Sequence, residues 1–156
     1  MNGARRSRAA CTTALLTAGG LLGAGQLQAQ GIGVELGWLS GSRQSYYVMS
    51  LGLSRKLSST LSMTFKGTWY APDGPGGGDL VGGGVDLSLW RGGNPGLYAV
   101  GGLGGGFGFS GADVFWGSYS IGAGWDFRLF SAVGLGVEAR WVGLTQGGDE
   151  GVQVGV

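Results

Sequence analysis

The sequence predicts an all-β chain: one antiparallel up-and-down barrel of eight strands. Three observations predict it. Large apolar residues recur two apart along nearly the whole chain beyond position 30, and a period of two belongs to a strand, whose successive side chains point to opposite faces. The alternating segments number eight and follow one another through short connections, the layout of an even-numbered meander that can close on itself. No segment beyond the first 30 residues has the 3.6-residue period of a helix.

The strands follow in order. Over 31–40, Ile32, Val34, Leu36 and Trp38 oppose Gly33, Glu35 and Gly37. Over 45–54, Tyr47, Met49, Leu51 and Leu53 oppose Ser50, Gly52 and Ser54. Over 60–70, Leu61, Met63, Phe65 and Trp69 oppose Ser62, Thr64, Lys66 and Thr68. The run APDGPGGG is the plainest loop in the chain. The fourth strand, 80–90, sets Val81, Val85, Leu87 and Leu89 against Gly82, Gly84, Asp86 and Ser88. After RGGNPG, the fifth strand, 97–109, sets Leu97, Ala99, Leu103, Phe107 and Phe109 against Gly102, Gly104, Gly106 and Gly108.

A loop around 111–114 precedes the most regular stretch, 116–141, which holds strands six and seven around a turn at 129–132. One face carries Tyr119, Ile121, Ala123, Trp125 and Phe127, then Val133, Leu135, Val137, Ala139 and Trp141; the other carries glycine, serine, Asp126, Arg128, Glu138 and Arg140. After a loop over 145–150, the eighth strand sets Val152, Val154 and Val156 against Gln153 and Gly155.

The start of the chain does not fit this pattern. Arg5, Arg6 and Arg8 precede an apolar, small-residue stretch over 9–25, and Leu27-Gln28-Ala29 supplies a small residue at a cut after Ala29. That is the layout of a cleavable secretory signal peptide, too short and too rich in glycine to be a spanning helix. The chain therefore divides into a signal peptide, 1–29, and a barrel domain, 30–156. The single cysteine, Cys11, falls in the signal, so the mature chain offers no disulfide or thiolate chemistry. Seven Lys and Arg stand against nine Asp and Glu beyond position 29, a net charge of −2 with no basic stripe. Nucleic-acid binding has no electrostatic basis here.

The polar face indicates which side faces outward. Of the 127 residues beyond position 29, 33 are glycine, against an average of about 7%. Charge on that face is sparse: Glu35, Lys66, Asp86, Asp126, Arg128, Glu138 and Arg140. The exterior of a soluble barrel is rich in charge, and 12% charged residues are too few to cover one. An eight-stranded lumen leaves little room, so small residues with a few paired charges suit an interior. The apolar face is then expected to point at lipid, which makes this a transmembrane β-barrel. Lys66 and Asp86 are expected to pair across strands three and four, with Glu138, Arg140 and Glu35 in a second cluster, because buried charges must be paired. Aromatics gather near the strand ends. Trp38, Trp69, Tyr70, Phe107, Phe109, Phe115 and Trp141 lie toward the longer loops, and Trp125, Phe127 and Phe130 toward the turns. Two interfacial girdles are expected.

On the signal peptide, the glycine-rich alternating strands and hairpins of the type GAGWDFRLFSAVGLGVEARW, the chain resembles small eight-stranded outer-membrane β-barrel proteins of the OmpA/OmpX-like kind. The resemblance implies a monomer in the outer membrane of a Gram-negative-type bacterium, with outer-membrane lipid and the outer-membrane assembly machinery as partners. It implies a structural or surface-interaction role without catalysis or cofactor; a narrow porin-like pore and a soluble lipocalin-like barrel binding an apolar ligand are the alternatives. Such barrels end in an aromatic residue, whereas this sequence ends GVQVGV, which implies an incomplete last strand or another insertion signal.

Chemistry is otherwise sparse. The sequence contains no histidine, which removes Ser-His-Asp catalysis and most zinc sites. Residues 134–139 match G-x-G-x-x-A, but strand alternation continues through them and no helix follows, so a dinucleotide site is not expected.

Overall fold

A computed structural model describes residues 31–74, 78–92, 95–109, 113–129, 134–145 and 149–156. The predicted signal peptide, Val133 and Phe130 lie outside the described residues. The eight strands are β1 Gly31–Gly41, β2 Ser45–Lys56, β3 Leu61–Pro72, β4 Asp79–Trp90, β5 Leu97–Phe109, β6 Asp113–Arg128, β7 Gly134–Leu144 and β8 Asp149–Gly155. Each is antiparallel to its sequence neighbour, and β8 pairs with β1 to close the barrel. Closure leaves no lateral edge to the sheet as a whole.

The two faces are sorted as the alternation requires. Ile32, Val34, Met49, Leu103, Ile121, Val137 and Val154 are among the large apolar side chains exposed on the outside, while Ser50, Thr68, Asp86, Ser88, Arg140 and Gln153 are buried inside. Several strand limits differ from the sequence expectation, among them the ends of β2 and β3, which run on to Lys56 and Pro72. β6 starts at Asp113, within the expected loop; β7 runs on to Leu144; and β8 begins at Asp149. The reason is that strand membership follows the hydrogen-bonding partner, and the β5–β6 ladder continues to Phe109↔Asp113. Over 142–144 the apolar residues change sides. Val142 and Leu144 are buried inside, so the side-chain pattern no longer marked the strand.

Along the other end, β8 meets β1 from Gly41 to Gly37, with a last pair of backbone hydrogen bonds, each 2.9 Å, between Leu36 and Val156. On β7 the ladder to β8 extends from Leu144 to Glu138.

Glycine plays different parts on the two faces. Outside, Gly67, Gly83, Gly105 and Gly117 stand in register across β3 to β6. They floor a furrow between the row Phe65, Val85, Leu103, Tyr119 and the row Trp69, Val81, Phe107, Phe115. Inside, glycine is a packing requirement. A Cβ on Gly82 would lie 2.6 Å from Cζ2 of Trp116 and collide with the Gly105 carbonyl oxygen, whereas the nearest atom to a Cβ on outward Gly83 is the Lys66 carbonyl oxygen at 3.4 Å.

Neighbouring positions should therefore respond differently to one substitution. Gly82→Val overpacks the lumen and is expected to lower stability by about 1–3 kcal/mol, seen as loss of the compact, heat-modifiable gel band after folding in detergent. Gly83→Val, which adds a side chain to the outer furrow, is expected to keep that band. Equal effects at the two sites would contradict the assignment of faces.

Candidate functional site

The described chemistry is concentrated in the lumen, and the barrel wall makes room for it. Lys66 stands opposite Gly52 and Gly84, Asp86 opposite Gly102, Arg140 opposite Gly122, Glu138 opposite Gly124 and Asp126 opposite Gly136. A Cβ on Gly102 would collide with Oδ1 of Asp86, and one on Gly122 with the backbone of Ala139 and Arg140. The glycines of the polar face thus provide the volume that the charged side chains fill.

Asp86 is the centre. Its Oδ2 accepts from Lys66 Nζ at 2.9 Å and from Arg140 Nη1 at 2.6 Å. Arg140 also donates through Nε to Glu138 Oε1, and Glu138 Oε2 accepts from the Tyr98 hydroxyl at 2.9 Å. The two charge clusters expected from the sequence are therefore one chain, Lys66–Asp86–Arg140–Glu138–Tyr98, with Arg140 as the link. Glu35 stands apart from it and accepts from Gln153 Nε2 at 2.7 Å, a partner that the sequence reading did not single out. Asp126 and Arg128 have no bond to this chain among the described residues. Arg128 is exposed and Asp126 half-buried. Around the centre, Ser50 and Thr68 hydroxyls share a hydrogen bond of 3.0 Å, and Trp90 Nε1 donates to Ser62 Oγ at 3.0 Å.

The lumen has two unlike ends. Toward the longer loops it is filled by an apolar cluster of Leu39, Val48, Tyr70, Trp116, Val142 and Leu144, with Tyr46 and Leu80 packed against it. Tyr70 meets Trp116 edge-on at 5.6 Å and Tyr46 at 6.2 Å. This corrects one expectation: Tyr70 is a lumen residue and not an outward aromatic, because it follows outward Trp69 and so falls on the opposite face. Toward the turns, a cavity of about 390 Å³ opens, lined by Lys66, Asp86, Trp90, Tyr98, Asp126 and Glu138 among others. The apolar cluster was missed from sequence. Its signal was present, since each member is an apolar residue on the polar parity at the loop end of its strand.

The outward aromatics form two groups by position. Trp69, Phe109 and Trp141 are exposed on the loop-side half, and Trp38 is half-buried there, packed edge-on against Tyr47 at 4.8 Å. Trp125 and Phe127 are exposed on the turn-side half and stack at 6.1 Å. Among the described residues, no group of three or more metal-ligating side chains converges. Comparison with protein-family models, curated proteins and solved structures finds no match.

The Asp86 centre makes unequal demands on its members. Asp86→Leu leaves buried Arg140 and half-buried Lys66 without their shared carboxylate and is expected to cost about 3–5 kcal/mol in urea unfolding from detergent micelles. Lys66→Met leaves Asp86 held by Arg140 and is expected to cost less. If both variants unfold with the wild type, the centre does not stabilise the barrel.

Proposed function

We propose that this chain is an integral outer-membrane β-barrel protein with a structural or surface-interaction role and no catalysis, exported by its signal peptide and embedded as a monomer. The observation that carries this reading is the outer face. Large apolar side chains are exposed on every one of the eight strands, while Glu35, Lys66, Asp86, Asp126, Glu138 and Arg140, on the opposite parity, are wholly or partly buried. In water that surface would be a contiguous apolar patch far beyond what soluble monomers expose. In a bilayer it is the solvent-matched surface, and closure satisfies the backbone where no water is available. Strands of 11–16 residues over β1–β7 reach or exceed the roughly 9–11 residues needed to cross a bilayer at a tilt. Outer-membrane lipid and the assembly machinery of that membrane are the partners this reading calls for.

Two alternatives fit less well. A soluble barrel holding an apolar ligand needs an apolar lumen, yet the lumen contains Lys66, Asp86, Glu138 and Arg140. An open pore needs a continuous wet path, yet the apolar cluster around Trp116 fills the loop-side end. The role is then carried by the loops and the outer surface.

Cell fractionation combined with heat-modifiable gel mobility tests the reading. The mature protein is expected in the outer-membrane fraction, extracted only by detergent, with a shifted band on boiling. Recovery from the soluble periplasmic fraction without detergent would overturn it. In planar bilayers the wild type is expected to give no stepwise conductance, and the Tyr70→Ala/Trp116→Ala double variant to give channel openings; openings by the wild type would favour the pore.

A further inference from the structure

Between the apolar cluster and the Asp86 centre lies a small cavity of about 20 Å³, lined by Thr68, Tyr70, Trp116, Ser118, Arg140 and Gln153 among others. Trp116 is 2% exposed, and its Nε1 is a buried side-chain nitrogen with no hydrogen-bond partner among the described residues. A buried N–H left unsatisfied is costly, and native interiors pair such groups with protein or with water. The indole cannot be moved aside easily. Its ring is held edge-on by Tyr70 at 5.6 Å, and its Cζ2 side lies against Gly82, where even a Cβ would come within 2.6 Å.

The geometry points to a buried site for one ordered water in this cavity, accepting from Trp116 Nε1–H and donating to the hydroxyl-bearing wall. The size fits: a water needs roughly 10–15 Å³ of such volume and two to four polar partners. The chemistry also fits. The two nearby cations, Lys66 and Arg140, are already matched by Asp86 and Glu138, so no net positive charge is left to hold an anion. The hydroxyls of Thr68, Tyr70 and Ser118 exclude an apolar guest. A small molecule that both accepts and donates is what remains. Bound there, it links the apolar cluster to the charged centre. The orientation of Trp116, and with it the closure of the loop-side end, then depends on a polar contact as well as on packing.

The test is nuclear magnetic resonance of the full-length protein, labelled with ¹⁵N and folded in detergent micelles. The Trp116 indole N–H, identified by its loss in Trp116→Phe, is expected to show an exchange-independent cross-peak to a long-lived water. Ser118→Val, which fills the cavity with methyl groups, is expected to abolish that cross-peak while the folded band persists. The site is disproved if the wild-type indole N–H shows no contact with water. It is equally disproved if the resonance shifts saturably with added bromide, the mark of an anion site.

Discussion

A buried carboxylate between two cations is the constraint on which the interior of this barrel depends. Asp86 is almost wholly removed from solvent and accepts from Lys66 at 2.9 Å and Arg140 at 2.6 Å. Charges in a low-dielectric interior are tolerable only when paired and hydrogen-bonded, and three such side chains need space that an eight-stranded lumen scarcely has. The sheet supplies it by placing glycine across the ladder from each: Gly84 from Lys66, Gly102 from Asp86 and Gly122 from Arg140. The abundance of glycine on this face follows from the charges it accommodates. In strand interiors glycine carries a conformational cost, so its use here reflects lack of room and not local preference.

The same economy of space makes the lumen asymmetric. At the loop side, Trp116, Tyr70 and Leu39 replace charge with apolar volume and fill the cross-section. At the turn side, glycine and the charged centre leave a cavity of about 390 Å³. The outer surface, with its glycine furrow between rows of aromatic and aliphatic residues, presents apolar matter on all sides.

Much of this architecture was legible in the sequence because its signal is local. The parity of Ile32–Trp38, of Leu97–Phe109 and of Tyr119–Phe127 is a relation between residues two apart, and it identifies strands and their faces without any knowledge of partners. The pairing of Lys66 with Asp86 was also legible, since adjacent strands of a meander are neighbours in space. Less legible were the strand start at 113–115, which is set by the ladder to β5, and the strand end at 142–144, where Val142 and Leu144 turn inward and the contrast between faces disappears. The inward turn of Tyr70 was hidden by grouping aromatics by strand end and not by parity.

The sequence by itself determined the strand count, the sense of each face and the charged residues that would share the lumen, because alternation is imposed by the backbone one residue at a time. Only the tertiary structure decided which of those residues meet. Arg140 and Asp86 are 54 positions apart and lie on β7 and β4. They touch across the lumen because closure of β8 on β1 brings opposite walls within side-chain reach. The join of two expected charge clusters into one, the partnership of Gln153 with Glu35 and the edge-on contact of Trp116 with Tyr70 all have the same cause. Each is set by the diameter and register of a closed barrel, quantities that belong to eight strands together and to none of them alone.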